Sequence, residues 1–229
     1  MVITRSSLLY GSLALTALVV CAVSAWLALI AAPADATQGN IQRVFYFHVP
    51  LAWVSFLAFL GGAIMSIRYL RGRKSLDDAW AQAFIKTGWI FTSTVLVTGP
   101  LWARPIWGVF WNWGDERLVS FFVMWMMYNA YLLLRATIAD REKAARIAAV
   151  LAILALINAA LVIAAIHIWK TASHPGPVFV KQGGSGLPDP TMKLAFWSSF
   201  IGFTLLFATL LVTRFSVEIR LMEHHETDG

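Results

Sequence analysis

The sequence predicts an all-α integral membrane protein with six transmembrane helices and both termini on one side of the membrane. Three observations predict it. Hydrophobic residues make up 59% of the 229-residue chain and charged residues only 13%, against about 25% charged in a typical soluble domain. The apolar residues fall into six blocks, approximately 8–31, 51–70, 82–101, 118–137, 144–168 and 192–214. Each is close to the roughly 20 residues that a helix needs to cross a bilayer core about 30 Å thick. The blocks are unbroken, which excludes the alternating pattern of a membrane barrel and leaves helices, which satisfy their own backbone groups. The connections are too short for a separate soluble domain, so residues 1–229 read as a single domain.

The elements follow in order. The first block ends near Ala34-Asp35-Ala36, which resembles a leader cleavage site. At about 24 residues it is longer than the roughly 7–15 of a signal-peptide core, so a retained helix is expected. Its Cys21 is the chain's single cysteine. It excludes an intrachain disulfide and any CxxCH attachment of haem, and reads as a packing residue. Pro33 and Gly39-Asn40 mark a turn, after which the chain becomes aromatic and enters the second helix near Pro50, a residue suited to a first turn. Gly61-Gly62 allows close helix packing. Ser75 is a candidate N-cap for the third helix, followed by Asp77 and Asp78. Lys86 lies near enough to the start of the third block to snorkel. Asp140 is a candidate N-cap for the fifth helix. The last outer connection is flexible at Gly183, Gly184 and Gly186, and stiffens at Pro188 and Pro190.

Charge sets the orientation. Arg5, Arg68, Arg71, Arg73, Lys74, Arg135, Arg141, Lys143, Arg146, Arg214 and Arg220 fall on one side of six alternating helices. Arg43, Arg104, Arg117, Lys170, Lys181 and Lys193 fall on the other. The positive-inside rule puts the richer side, with both termini, in the cytoplasm. The net charge of +6 is explained by this distribution and implies contact with membrane lipid, not nucleic acid.

The segment GPLWARPIWGVFWNWGDERL, within about 99–120, carries Trp102, Trp107, Trp111 and Trp113, four of eleven tryptophans. Interfacial tryptophans form belts at helix ends; gathered flat rings also suit a flat apolar ligand. Histidines favour the second alternative. His48 lies in the outer connection before this segment and His174 in the one after it, so all three share the outer side. Neutral imidazole is a standard axial ligand of haem iron. His167 ends the fifth helix, and His224 and His225 belong to a solvated tail. Arg43, Arg104 and Arg117 are candidate partners for carboxylates such as haem propionates, because guanidinium pairs with them bidentately; lipid phosphates are the alternative. Asp115 and Glu116 either orient an arginine or a ring nitrogen, or begin the fourth helix near its positive end. A P-loop is absent from the sequence. So are an acidic residue deep in a span and paired helix breaks, which proton-coupled and secondary transporters often carry.

Three segments carry a family resemblance. APADATQGNIQRVFYFHVPLAW resembles the first periplasmic loop of the haem exporter protein C (CcmC) family of cytochrome c maturation. PLWARPIWGVFWNWGDERLVS resembles that family's tryptophan-rich WWD signature, and TASHPG occupies the place of its second histidine. The resemblance covers nearly the whole chain. It implies haem b as a transported or transiently bound ligand and axial ligation of its iron by His48 and His174. It implies haem contacts from Trp102, Trp107, Gly108, Trp111, Trp113 and Asp115. It also implies delivery to the haem chaperone CcmE and association with the ABC transporter subunits CcmA and CcmB and the small membrane protein CcmD. The location implied is the bacterial inner membrane, with the site facing the periplasm and no enzymatic role. The alternatives are part of a cytochrome c haem lyase, or a permease subunit for another apolar solute. The chain departs from the family pattern twice. Gly114 separates Trp113 from Asp115, where the family has the aspartate directly after the tryptophan, and Pro175 restricts the backbone of His174.

Overall fold

The computed structural model describes residues 2–168 and 187–227; His174 and the glycines of the last connection lie outside them. Helix α1 (Val2–Trp26) continues into a single π-helical turn, Leu27–Ala31. A 3₁₀ turn, Asn40–Val44, leads into α2 (Phe45–Gly72). Then come α3 (Ser75–Trp107), α4 (Glu116–Thr137), α5 (Arg141–Ile168) and α6 (Pro190–Thr227). Among the described residues β-structure is limited to one bridge, Asp35 to Gly39. The fold is that of an all-helical integral membrane protein. Among the described residues, five stretches are long and apolar enough to span: Leu8–Ala31, Asn40–Gly72, Glu116–Thr137, Arg141–Val162 and Pro190–His224. The sixth helix expected, α3, has 33 residues, about 50 Å at 1.5 Å each. Its apolarity is diluted by Gln82, Lys86, Thr87, Thr92, Ser93 and Thr94.

The helices outrun the apolar blocks, which mark only the stretch that faces hydrocarbon. Helix α2 begins at Phe45, so His48 is helical and Pro50 is the sixth helical residue, past the expected first turn. Helix α3 takes in Pro100 and Pro105 and carries Trp102 and Trp107. Ser75 is its first residue and not a residue before it. Asp140 caps α5 as expected, its Oδ1 accepting from the Lys143 backbone N–H at 3.0 Å.

The chain divides into two compact units. The first takes the described parts of Met1–Leu51, Val97–Trp111 and Thr171–Thr209. Its core gathers Leu27, Ala28, Phe45, Tyr46, Trp102, Met192 and Phe196. Phe45 stacks on Phe196, centroids 5.3 Å apart, and Phe47 meets Phe203 edge-on. Cys21 packs as expected: a Cβ added at Gly202 would lie 3.2 Å from its Sγ.

The second unit takes Ala52–Leu96, Leu210–Gly229 and Asn112–Lys170 within the described residues. Glycines bring helices close here: a Cβ on Gly62 would lie 2.9 Å from Ile85 Cγ1. Helices α3 and α4 exchange indole hydrogen bonds. Trp89 Nε1 donates to Asn129 Oδ1 at 3.2 Å and Trp125 Nε1 to Ser93 Oγ at 2.8 Å, each contributing about 0.6 kcal/mol inside a membrane. Several charged groups here are paired. Arg135 grips Asp78 through two nitrogens at 3.1 and 2.8 Å. Lys86 Nζ donates to Glu218 at 2.8 Å, so it pairs with α6 and does not snorkel.

Candidate functional site

In the first unit the site is built from two helix faces. Phe45 and His48 are three apart on α2, and Thr98 and Trp102 are four apart on α3, spacings that put each pair on one face. His48 Nδ1 lies 2.8 Å from Thr98 Oγ1. Its ring meets Trp102 edge-on, centroids 5.8 Å apart at 65°. Phe45 meets the same indole at 6.0 Å. Gly99 leaves room for the imidazole, since a Cβ there would approach His48 Cε1 to 3.3 Å.

Trp102 is only 4% exposed, and its Nε1 donates to Gln38 Oε1 at 3.0 Å. Gln38 is fixed in turn. Its backbone N–H and that of Thr37 donate to Asp35 Oδ1 at 2.8 and 2.9 Å. Asp35 and Gly39 exchange backbone hydrogen bonds, with Gly39 at φ 60°. A chain of contacts therefore runs from the Asp35 turn through Gln38 and Trp102 to His48 and Thr98. Asp35 Oδ1, Gln38 Oε1, Trp102 Nε1, His48 Nδ1 and Thr98 Oγ1 each have a hydrogen-bonding neighbour, as buried polar groups require.

Arg43 and Arg104 both donate to backbone carbonyls. Arg43 donates from Nη1 to Ala28 O at 3.0 Å, from Nη2 to Ala32 O at 3.1 Å and from Nε to Asn40 Oδ1 at 3.2 Å. It thereby satisfies carbonyls that a helix end leaves open. Arg104 donates to the Gly108 carbonyl and lies over the Phe110 ring. Gly108 closes α3 at φ 78°, its N–H donating to Arg104 O at 3.0 Å. This is the left-handed position after a helix where glycine is favoured. Trp107 and Trp111 are half-buried, whereas Val109 and Phe110 between them are exposed.

In the second unit, Asn112 to Asp115 form a turn closed by Asp115 N–H to Asn112 O at 3.1 Å. The Gly114 N–H also donates to Asn112 Oδ1 at 2.9 Å. Trp113 sits on this turn, 69% exposed, with its ring edge-on to Phe122. Gly114 is thus the extra turn residue that delivers Asp115 to the N-cap of α4. The Asp115 carboxylate is buried and accepts from the Arg117 and Leu118 backbone N–H groups at 3.0 and 3.3 Å. The Arg117 guanidinium, also buried, lies 3.7 Å away. Both expected roles, beginning the fourth helix and pairing with an arginine, are visible in its contacts.

The sequence-predicted residues therefore divide. His48 and Trp102 are brought together in one unit, and Asp115 and Arg117 in the other. His174 lies outside the described residues. Among those described, no cluster of three or more His, Cys, Asp or Glu could hold a bare metal ion. Sequence reasoning missed Gln38 and Thr98. Thr98 was findable, because it precedes Trp102 by one helical turn once α3 is extended past Pro100. Gln38 carried no local signal, since its role depends on a partner 64 residues away.

Comparison with known proteins follows this geometry. The sequence model of the family described as Heme exporter protein C matches residues 2–228. Heme exporter protein C of Bradyrhizobium diazoefficiens is 37% identical over 188 residues, covering 82% of this chain and 70% of that protein. The Escherichia coli K12 protein of the same name is 34% identical over 192 residues, covering 84% and 76%. That of Paracoccus denitrificans is 29% identical over 188 residues, covering 82% and 77%. The chain belongs to the haem exporter protein C family.

Proposed function

We propose that this chain binds haem b at the periplasmic face of the bacterial inner membrane and passes it to the chaperone CcmE for cytochrome c maturation. In this reading haem is cargo, and the protein presents it without catalysing a reaction. CcmA, CcmB and CcmD are the partners. His48 and His174 are the axial ligands. The observation that carries the proposal is the setting of His48: a helical imidazole oriented at Nδ1 by Thr98 and at its edge by a buried, hydrogen-bonded indole. Ligating histidines characteristically have one ring nitrogen held by such a second partner. Ligation through Nε2 corresponds to the tautomer in which Nδ1–H donates to Thr98. The exposed rings of Phe110 and Trp113 offer apolar surface to shield a porphyrin. Trp107, Gly108, Trp111 and Asp115 shape the segment that presents them. Arg104 and Arg117 are the arginines nearest that segment in sequence for the propionates, with Arg43 a third.

The test is the absorption spectrum of the purified chain. A Soret band is expected in the wild type and weakened or shifted in His48→Ala and His174→Ala. If neither the isolated chain nor its complex with CcmE ever retains haem, the proposal fails. A topology reporter fused after Gly184 is expected to read as periplasmic; a cytoplasmic reading overturns the placement.

A further inference from the structure

We propose that the second unit contains an anion site for a phosphate group, distinct from the aromatic segment. A cavity of about 850 Å³ opens where the α2–α3 and α4–α5 links meet the end of α6. Four cations line it, Arg73, Lys86, Arg135 and Arg141, against three carboxylates, Asp78, Glu142 and Glu218. Each carboxylate is already engaged. Asp78 takes Arg135 at 2.8 Å, Glu218 takes Lys86 at 2.8 Å and Arg214 at 2.6 Å, and Glu142 takes Arg146 at 2.6 Å. Arg73 and Arg141 have no carboxylate within 4.0 Å among the described residues. The lining cations without a carboxylate partner are therefore these two guanidinium groups.

Their setting fixes the chemistry of the ligand. Arg73 is held at the α2–α3 link with a left-handed backbone, φ 53°, and its guanidinium lies 5.7 Å from the Tyr69 ring centroid. Arg141 begins α5. Guanidinium groups present paired N–H donors that match phosphate oxygens, and the Ser75 hydroxyl lines the same cavity. The same cavity is also lined by apolar Leu132, Ile138, Ala144, Ala145, Leu221 and Met222. A phosphate bearing hydrocarbon suits both kinds of lining. Basic pockets at the ends of membrane helices take anionic headgroups in this way. A free phosphate satisfies only the cations.

The test uses the full chain, purified in detergent and stripped of lipid, followed by native mass spectrometry and thermal unfolding. Phosphatidylglycerol, phosphatidylcholine and inorganic phosphate are added separately. Phosphatidylglycerol is expected to remain bound and raise the unfolding temperature. Arg73→Gln/Arg141→Gln should weaken its binding at least tenfold, and Lys143→Gln, a cation in the first turn of α5 that does not line the cavity, should not. Protection by inorganic phosphate that is lost in the double variant identifies a free anion as the occupant and also supports the site. Equal binding of phosphatidylcholine, or equal loss in Lys143→Gln, overturns it. Unfolding of the lipid-free double variant at the wild-type temperature shows that the substitutions leave the fold intact.

Discussion

Trp102 and Trp113 stand at opposite ends of one aromatic segment and are used in opposite ways. Trp102 is 4% exposed, packed against Phe45 and His48, with its indole N–H given to Gln38. Trp113 is 69% exposed and rides on a turn. In the sequence they are equivalent members of one cluster. The difference teaches that "belt or shelf" is not a property of the cluster. One end is a structural support that fixes a histidine, and the other end is largely exposed surface that rests edge-on against Phe122.

The sharpest way to break that contrast is substitution at its two ends. Trp102→Ala should cost about 4 kcal/mol, because it empties a packed site and strands the Gln38 amide. Trp102→Phe keeps most of the volume and loses the hydrogen bond, costing about 1 kcal/mol. Trp113→Ala should leave stability within about 0.5 kcal/mol, as surface changes do, while lowering haem retention. Thermal unfolding in detergent and the Soret band read the two effects separately. Comparable destabilisation by Trp102→Ala and Trp113→Ala would remove the distinction.

Asp115 gives the next largest effect. Asp115→Ala removes the cap of α4 and the carboxylate beside the buried Arg117, a combined cost of about 3 kcal/mol. Asn caps as well as Asp does, so Asp115→Asn should retain about half of that loss. If Asp115 serves the helix alone, Asp115→Asn binds haem like the wild type once folded. Loss of the Soret band in a stably folded Asp115→Asn protein instead assigns the carboxylate to the ligand.

Much of this was legible in the sequence, because apolar runs and charge asymmetry are summed over many residues. The helical class, the packing role of Cys21 and the Asp140 cap all follow from such signals. Boundaries did not follow. Pro50 read as a first-turn residue and the third apolar block ended at 101, yet α2 starts before Pro50 and α3 continues through Pro100 and Pro105 to Trp107. A proline removes one backbone donor, and in a long membrane helix neighbouring groups make up the loss. The pairing of Lys86 with Glu218 was equally illegible, since 132 residues separate the partners. Glu218 was placed past the end of the last apolar block, while α6 continues beyond it. Within the site, residue type pointed to His48 and Trp102, but only the fold brings Gln38 and Thr98 to them.

The smallest predicted effects separate the two glycines of the aromatic segment. Gly114 draws attention in the sequence because it breaks the family's spacing. The strained backbone, however, is at Gly108, whose φ is 78°. A side chain there has open space around it but must adopt a left-handed conformation, so Gly108→Ala should cost about 1 kcal/mol. At Gly114 φ is not in that region, and an added Cβ would lie 3.3 Å from Asn112 Oδ1, the atom that accepts the residue's own N–H. Gly114→Ala should therefore change stability by less than about 0.5 kcal/mol. The extra residue matters for its presence in the turn, not for lacking a side chain. Deleting Gly114 removes the i+2 position between Asn112 and Asp115 and should uncap α4, approaching the loss seen in Asp115→Ala. A larger unfolding shift for Gly114→Ala than for Gly108→Ala would reverse this assignment of strain.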